Sequence, residues 1–180
     1  FFVRPQKHTR KYRSYQIKPR TAQARTDEEL AEKIIAIEQP ITFSLLCRRV
    51  SALRDSGRVN AALQNSLKEV IAARFYVDGS NAIWLTADAC DAYESYRPDS
   101  GRAIADIPAK ELANAICDTL AEQDSITEDS LTLLTSKKLG FTCRGRIIDS
   151  TLRNVLQTLV NAGKVVATGN YLRLSDRDTN

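Results

Sequence analysis

Residues 139–174 read LGFTCRGRIIDSTLRNVLQTLVNAGKVVATGNYLRL. A glycine turn and a small basic cluster, Arg144-Gly145-Arg146, open the stretch. Apolar residues then recur at Ile148, Leu152, Val155, Leu156 and Leu159, the spacing of one helix face. Asn161-Ala162-Gly163 ends that helix, because glycine reaches positive φ without strain at a helix C-terminus. Two short β-type runs follow, Lys164–Ala167 and Tyr171–Leu174. Gly169-Asn170 between them is a hairpin signal.

The same pattern occurs earlier. Moving back 89 residues pairs Leu152 with Leu63, Asn154 with Asn65, Leu156 with Leu67 and Ala162 with Ala73. It also pairs Val166 with Val77, Asn170 with Asn81 and Leu174 with Leu85. That is seven identities without a gap, in the order expected of an internal repeat. Upstream, Glu29-Leu30-Ala31 answers Glu111-Leu112-Ala113, Ile41-Thr42 answers Ile126-Thr127, and Gly57-Arg58-Val59 answers Gly145-Arg146-Ile147. The first copy has no counterpart of Leu139-Gly140-Phe141. Helix, short strand, helix, helix and hairpin make a winged-helix unit. The expected fold is therefore mainly α with small β-hairpins, an α+β chain of two tandem winged-helix (helix-turn-helix) domains. Their expected spans are residues 26–87 and 108–175. A basic tail (1–25), an acidic linker (88–107) and a short C-terminal tail (176–180) complete the division.

In the first copy, Thr26 and Glu29 form a capping-box pattern before a helix over Asp27–Glu38 that carries Leu30, Ile34, Ile35 and Ile37. Helices are expected over Ser44–Leu53 and Arg58–Arg74. The wing would run Phe75–Val77 and Ala82–Leu85, with Asp78-Gly79 as a type I′ turn. Trp84 is expected to pack beneath the wing. Within the link, a helix over Ala87–Tyr96 is expected, and Pro108 stands near the start of a helix over Ala109–Glu122. Thr127-Glu128-Asp129 starts the following helix, which ends near Lys138.

The net charge of +4 hides an asymmetry. Residues 1–25 hold eight basic side chains and no acid, which leaves 18 basic and 22 acidic residues for the rest. The acidic body argues against tight unspecific DNA binding, which depends on neutralising phosphates. The tail interleaves Tyr12 and Tyr15 with its charges, a pattern that fits either phosphate and base contact or a solvated connector. With 43% hydrophobic residues the chain can bury a core, and no apolar run reaches the ~18 residues of a membrane span. The lack of methionine and the Phe-Phe start are expected of an internal or C-terminal piece of a longer cytoplasmic polypeptide. Four scattered cysteines and a lone histidine, His8, make no zinc pattern, and free thiols are expected. No cofactor is expected.

No phosphate-binding glycine loop, nucleophile elbow or HExxH motif is present, so a non-catalytic chain is expected. Binding is the stronger option. Arg146, Arg153 and Gln157 lie on the polar face of the second copy's third helix, with Arg144 before it and Lys137 and Lys138 closing the helix upstream. In the first copy the corresponding residues are Arg58, Gln64 and Lys68, with Arg48 and Arg49 on the second helix. These side-chain types suit base edges and phosphates. Double-stranded DNA is the expected partner. The alternative is a protein-interaction surface that docks on other domains or subunits.

The segment Gly140-Phe141-Thr142-Cys143-Arg144-Gly145-Arg146-Ile147, set in this order of elements, resembles a bacterial domain of unknown function. That domain closes large multidomain proteins carrying a superfamily I helicase core and a very-short-patch-repair-like endonuclease. The family pattern has a serine between the glycine and the second arginine, which this chain lacks. The resemblance implies an accessory module in genome defence, with the ATP and nuclease sites upstream in the same polypeptide. It supplies no catalytic residue, and no membrane or small-molecule partner is expected.

Overall fold

The computed structural model describes residues 9–17, 25–54 and 58–175. The remainder of the basic tail with His8, the Gly57 of the repeat comparison, and the C-terminal tail lie outside the described residues. The described chain forms two compact units, residues 13–93 and residues 94–175 with 9–12. It is a mixed α+β structure, mainly helical, with seven α-helices and two small three-stranded antiparallel sheets among the described residues.

The N-terminal unit starts with α1 (Asp27–Glu38). Thr26 Oγ1 accepts the Glu29 N–H and Glu29 Oε2 accepts the Thr26 N–H, both at 3.1 Å, so the capping box is closed. Three acids in the first turn complement the helix dipole. Strand β1 (Ile41–Thr42) leads into α2 (Phe43–Leu53), capped by Thr42. Helix α3 (Ala61–Arg74) begins three residues later than the periodicity suggests. Asn60 Oδ1 accepts the Leu63 N–H at 2.8 Å and sets the start. Strands β2 (Tyr76–Val77) and β3 (Ala82–Trp84) complete a sheet of order β1-β3-β2. Leu30, Ile34, Ile35, Leu46, Val50, Leu67, Ile71 and Ile83 form its core, while Ile37 faces solvent.

The hairpin between β2 and β3 departs from the type I′ expectation. Positive φ falls at Asn81 (63°) and not at Gly79. Asp78 dictates this: its Oδ1 accepts from the Ser80 N–H and hydroxyl and from the Ala82 N–H, and its Oδ2 accepts Trp84 Nε1–H at 2.9 Å. The loop is one residue longer as a result, with an αL residue at its end. Burial alone would raise the Asp78 carboxyl, but these hydrogen bonds outweigh it and hold the carboxyl below its ordinary range. Trp84 is buried and meets Tyr93 edge-on at 5.2 Å. The helix expected over Ala87–Tyr96 shortens to α4 (Ala87–Asp91).

The C-terminal unit has the same order: α5 (Ala109–Ala121), β4 (Ile126–Thr127), α6 (Glu128–Lys138), α7 (Arg146–Asn161), β5 (Val165–Thr168) and β6 (Tyr171–Leu174). Its sheet order, β4-β6-β5, matches the first. The pair Ile41↔Ile83 corresponds to Ile126↔Leu172, and Thr42↔Ala82 to Thr127↔Tyr171. The hairpins differ by one residue of register, because Gly169 (φ 59°) allows a two-residue loop where Asp78 forces a longer one. Both helix ends flanking α7 use the same device. Gly140 N–H and Phe141 N–H reach back to Lys137 O and Ser136 O, and Gly163 N–H and Lys164 N–H to Val160 O and Leu159 O. These are Schellman caps with glycine at positive φ.

The stretch expected as an acidic linker contributes to the core. Tyr96, Ile104 and Ile107 join Leu112, Ile116, Leu131, Leu152 and Leu156 in the C-terminal unit. Arg97 and Arg102 are buried on Glu111, a carboxylate with no solvent exposure. Glu111 is the third residue of α5, the position Glu29 holds in α1. Pro108 at the N-cap has no N–H to offer, so Glu111 takes another job: its Oε1 accepts the Arg97 backbone N–H at 2.9 Å and its oxygens accept both guanidinia. Counting charges hid this, because the two bases in the acidic stretch are the buried ones.

Within residues 9–17 of the basic tail, Tyr12, Ser14, Tyr15 and Ile17 are half-buried and the other five residues are exposed. Thr9 bridges Tyr96 and the Arg10 N–H donates to Tyr96 O at 2.9 Å. The Tyr12 ring lies 5.2 Å from the Arg97 guanidinium and 4.6 Å from that of Arg102. In the N-terminal unit, Tyr15 and Ile17 pack on the core and the Tyr15 N–H donates to Glu38 Oε1 at 2.9 Å.

Candidate nucleic-acid interface

In the C-terminal unit the expected basic residues divide into two groups. Arg144 and Arg153 are held by acids on α6 and α7. Arg144 donates to Asp129 Oδ1, to Asp129 O and to the Thr132 hydroxyl, each at 2.8 Å. Arg153 Nε donates to Asp149 Oδ2 at 2.8 Å, and its terminal nitrogens pair with Glu128 and Asp129. The hydrogen bond from Arg153, against a smaller effect of burial and helped by both arginine charges, holds the Asp149 carboxyl below its ordinary range. The bonds to Asp149 and Glu128 raise Arg153 in turn. Two guanidinia thus meet three carboxylates. Lys138 is similarly engaged, 2.6 Å from Asp118 and 3.0 Å from Glu122. Asp118 also accepts the Tyr96 hydroxyl at 2.7 Å, and burial followed by that bond raises the phenol.

Arg146 and Lys137 form the second group. Both are exposed and have no ion-pair partner among the described residues. Arg146 is the first residue of α7, and Ile147 beside it is 70% exposed. Gln157 is exposed one turn from the end of α7 and bonds Asn161.

The N-terminal unit presents a different surface at corresponding positions. Gln64 stands where Arg153 does, and Asn60 where Asp149 does, at the 89-residue shift. At the 85-residue shift that relates β1-α2 to β4-α6, Phe43 and Ser44 replace Glu128 and Asp129. Glu128, Asp129, Asp149 and Arg153 therefore each have an uncharged counterpart. Arg58 and Lys68 are exposed and have no acidic partner among the described residues. The Lys68 ammonium sits 5.9 Å over the Phe43 ring. Arg48 is exposed and donates to the Ser44 hydroxyl at 2.9 Å, while Arg49 is drawn to the buried Glu38 at 3.2 Å. Gln64 is half-buried at the edge of this face. Conversely, Leu133 and Leu134, both partly exposed, occupy the places of Arg48 and Arg49.

The apolar periodicity places these side chains off the core and does not by itself show the pairing on α6 and α7. The signal was present: Glu128, Asp129 and Asp149 fall at the starts of two adjacent helices, where acids are favoured and where Arg144 and Arg153 can reach them. No helix among the described residues is long and apolar enough to cross a membrane. No protein-family model, curated protein or solved structure matches the chain.

Proposed function

We propose that the chain is a non-catalytic, duplex-DNA-binding module of two winged-helix copies, and that α3 of the N-terminal unit is its principal contact. The observation that carries this reading is the contrast between the copies: Arg58 before α3 and Lys68 on it are exposed and have no acidic partner among the described residues, whereas Arg144 and Arg153 are neutralised. A helix face with unpaired cations attracts phosphates, and each phosphate neutralised releases counterions. Arg48 and Gln64 add a guanidinium and an amide suited to base edges. The hairpin β2-β3, locked by Asp78, is placed in sequence to act as the wing. Arg146 and Lys137 supply a lesser basic patch in the other unit.

A second reading concerns the C-terminal unit alone. Leu133 and Leu134 are exposed where the first copy has Arg48 and Arg49, and Ile147 is exposed at the start of α7. This favours protein docking through α6 and α7, on other domains of a longer polypeptide. The resemblance of residues 140–147 to the helicase- and nuclease-associated domain supports that assignment. Fluorescence anisotropy with a labelled duplex tests the first reading. Replacing Arg58 and Lys68 together by alanine should weaken binding ~10-fold or more at low salt. Unchanged affinity would remove α3 as the contact.

A further inference from the structure

Two of the seven identities at the 89-residue shift are polar, and both are asparagine pairs. Asn81 and Asn170 belong to the hairpin loops, where Asn81 takes positive φ (63°). Asn65 and Asn154 have no such task. Each lies inside the third helix of its unit and is exposed, and neither side-chain amide has a hydrogen-bond partner among the described residues. Asparagine is a poor residue for a helix interior, because its side chain competes for backbone hydrogen bonds. We propose that Asn65 and Asn154 each read an adenine in the major groove of duplex DNA. The inference rests on the duplex-binding reading and adds its sequence preference.

The surroundings support a base edge as the partner. In α7 the side away from Leu152, Leu156 and Leu159 carries Ser150, Asn154, Gln157 and Asn161, all exposed and uncharged. Ser150 Oγ donates to Ile147 O at 3.1 Å and Gln157 Nε2 to Asn161 Oδ1 at 2.9 Å, so these neighbours are engaged within the helix. The Asn154 amide is not. In α3, Ala61 and Ala62 stand one turn before Asn65, both exposed, and their small side chains let the helix come close to a groove floor. Lys68 follows one turn later and suits the adjoining phosphate. Each helix has one acid: Glu69 beside Lys68 in α3, and Asp149 in α7, which Arg153 holds. Adenine presents N7 as an acceptor and N6–H as a donor, which match the two ends of a primary amide, whereas guanine presents two acceptors there. Such a contact displaces no phosphate counterion, so it sets preference without adding to the salt dependence.

The test uses the full chain and a duplex library with a randomised central segment. Adenine should be enriched at two positions, one for each asparagine. Anisotropy on the selected duplex would then compare wild type, Asn65→Ala and Asn154→Ala. Alanine favours helix, so both variants should remain folded. Each should bind ~10-fold more weakly, lose the adenine preference at one position and keep the wild-type salt slope. Replacing that adenine by 7-deazaadenine, which pairs normally but lacks the N7 acceptor, should weaken wild type ~10-fold and leave the matching variant unaffected. An alanine variant that keeps the full preference, or 7-deazaadenine without effect, would overturn the proposal. Duplex binding without adenine enrichment would overturn it and leave the duplex-binding reading standing. No duplex binding at all would remove both.

Discussion

Arg153 donates through Nε to the Asp149 carboxylate one turn away on α7, at 2.8 Å. The pair reaches on to Glu128 and Asp129 at the start of α6, and so turns what would be a basic helix face into a nearly neutral one. Partly exposed pairs of this kind contribute ~0–1 kcal/mol each. Arg153→Ala should therefore leave the unfolding midpoint in denaturant almost unchanged. It should also leave duplex affinity within about twofold, because the charge it removes is already balanced. A large loss of affinity would show that DNA displaces the acids.

The Glu111 clamp should behave in the opposite way. Glu111→Ala leaves two buried guanidinia without their carboxylate and should destabilise the C-terminal unit by ~3–5 kcal/mol, read from urea or guanidinium unfolding. The pH dependence has a defined sign. Burial would raise the carboxyl, but the hydrogen bonds and charges of Arg97 and Arg102 outweigh it and keep it below the ordinary value of 4.5. A depressed folded value means that the stabilisation is complete above about pH 4.5 and is lost as pH falls through the lower folded value. Glu111→Ala should remove that part of the acid sensitivity.

Glycine substitutions separate two kinds of turn. A Cβ on Gly140 would lie 2.9 Å from Asp99 Cα and 3.0 Å from Asp99 N, at a φ of +91°. Backbone cannot yield there, so Gly140→Ala should cost at least ~1–3 kcal/mol. Gly79 has open space around it and no positive φ, so Gly79→Ala should be close to neutral. A marked loss at Gly79 would restore the type I′ turn that the Asp-Gly pair suggests.

Equivalent core positions should respond alike. Leu67 and Leu156 are related by the 89-residue shift, and both are buried in the third helix of their unit. Alanine at either should cost ~2–5 kcal/mol by chemical unfolding. Matching losses would show that both copies depend on the same helix packing.

Much of this fold was legible because local signals agreed with one another. The Thr26/Glu29 box, the Gly163 stop and the Gly169-Asn170 hairpin each depend on residues within one turn of their own position. What escaped notice depended on distant partners. Arg97 and Arg102 look like linker charges until Glu111 is seen, and Tyr12 looks like part of a solvated tail until both guanidinia lie beside it. The Asp78-Gly79 turn failed as an expectation because the Asp78 side chain bonds four donors in and beyond the loop. The extra Leu139-Gly140-Phe141 turn was visible as an insertion. Its reason, a Schellman cap beneath Asp99, is a tertiary fact. Because Tyr15 and Ile17 pack on the N-terminal core, the interface is better tested by point variants than by removing the tail.

The most direct measurement is the salt dependence of duplex binding for the full chain. Wild type, Arg58→Ala/Lys68→Ala and Arg144→Ala/Arg153→Ala would be compared by anisotropy over a salt series. The account predicts that the first pair lowers the log–log slope by about two, roughly one per lost phosphate contact, while the second changes it by less than ~0.5. A slope that is unchanged without Arg58 and Lys68, or duplex binding that is undetectable at ~50 mM salt, would contradict it.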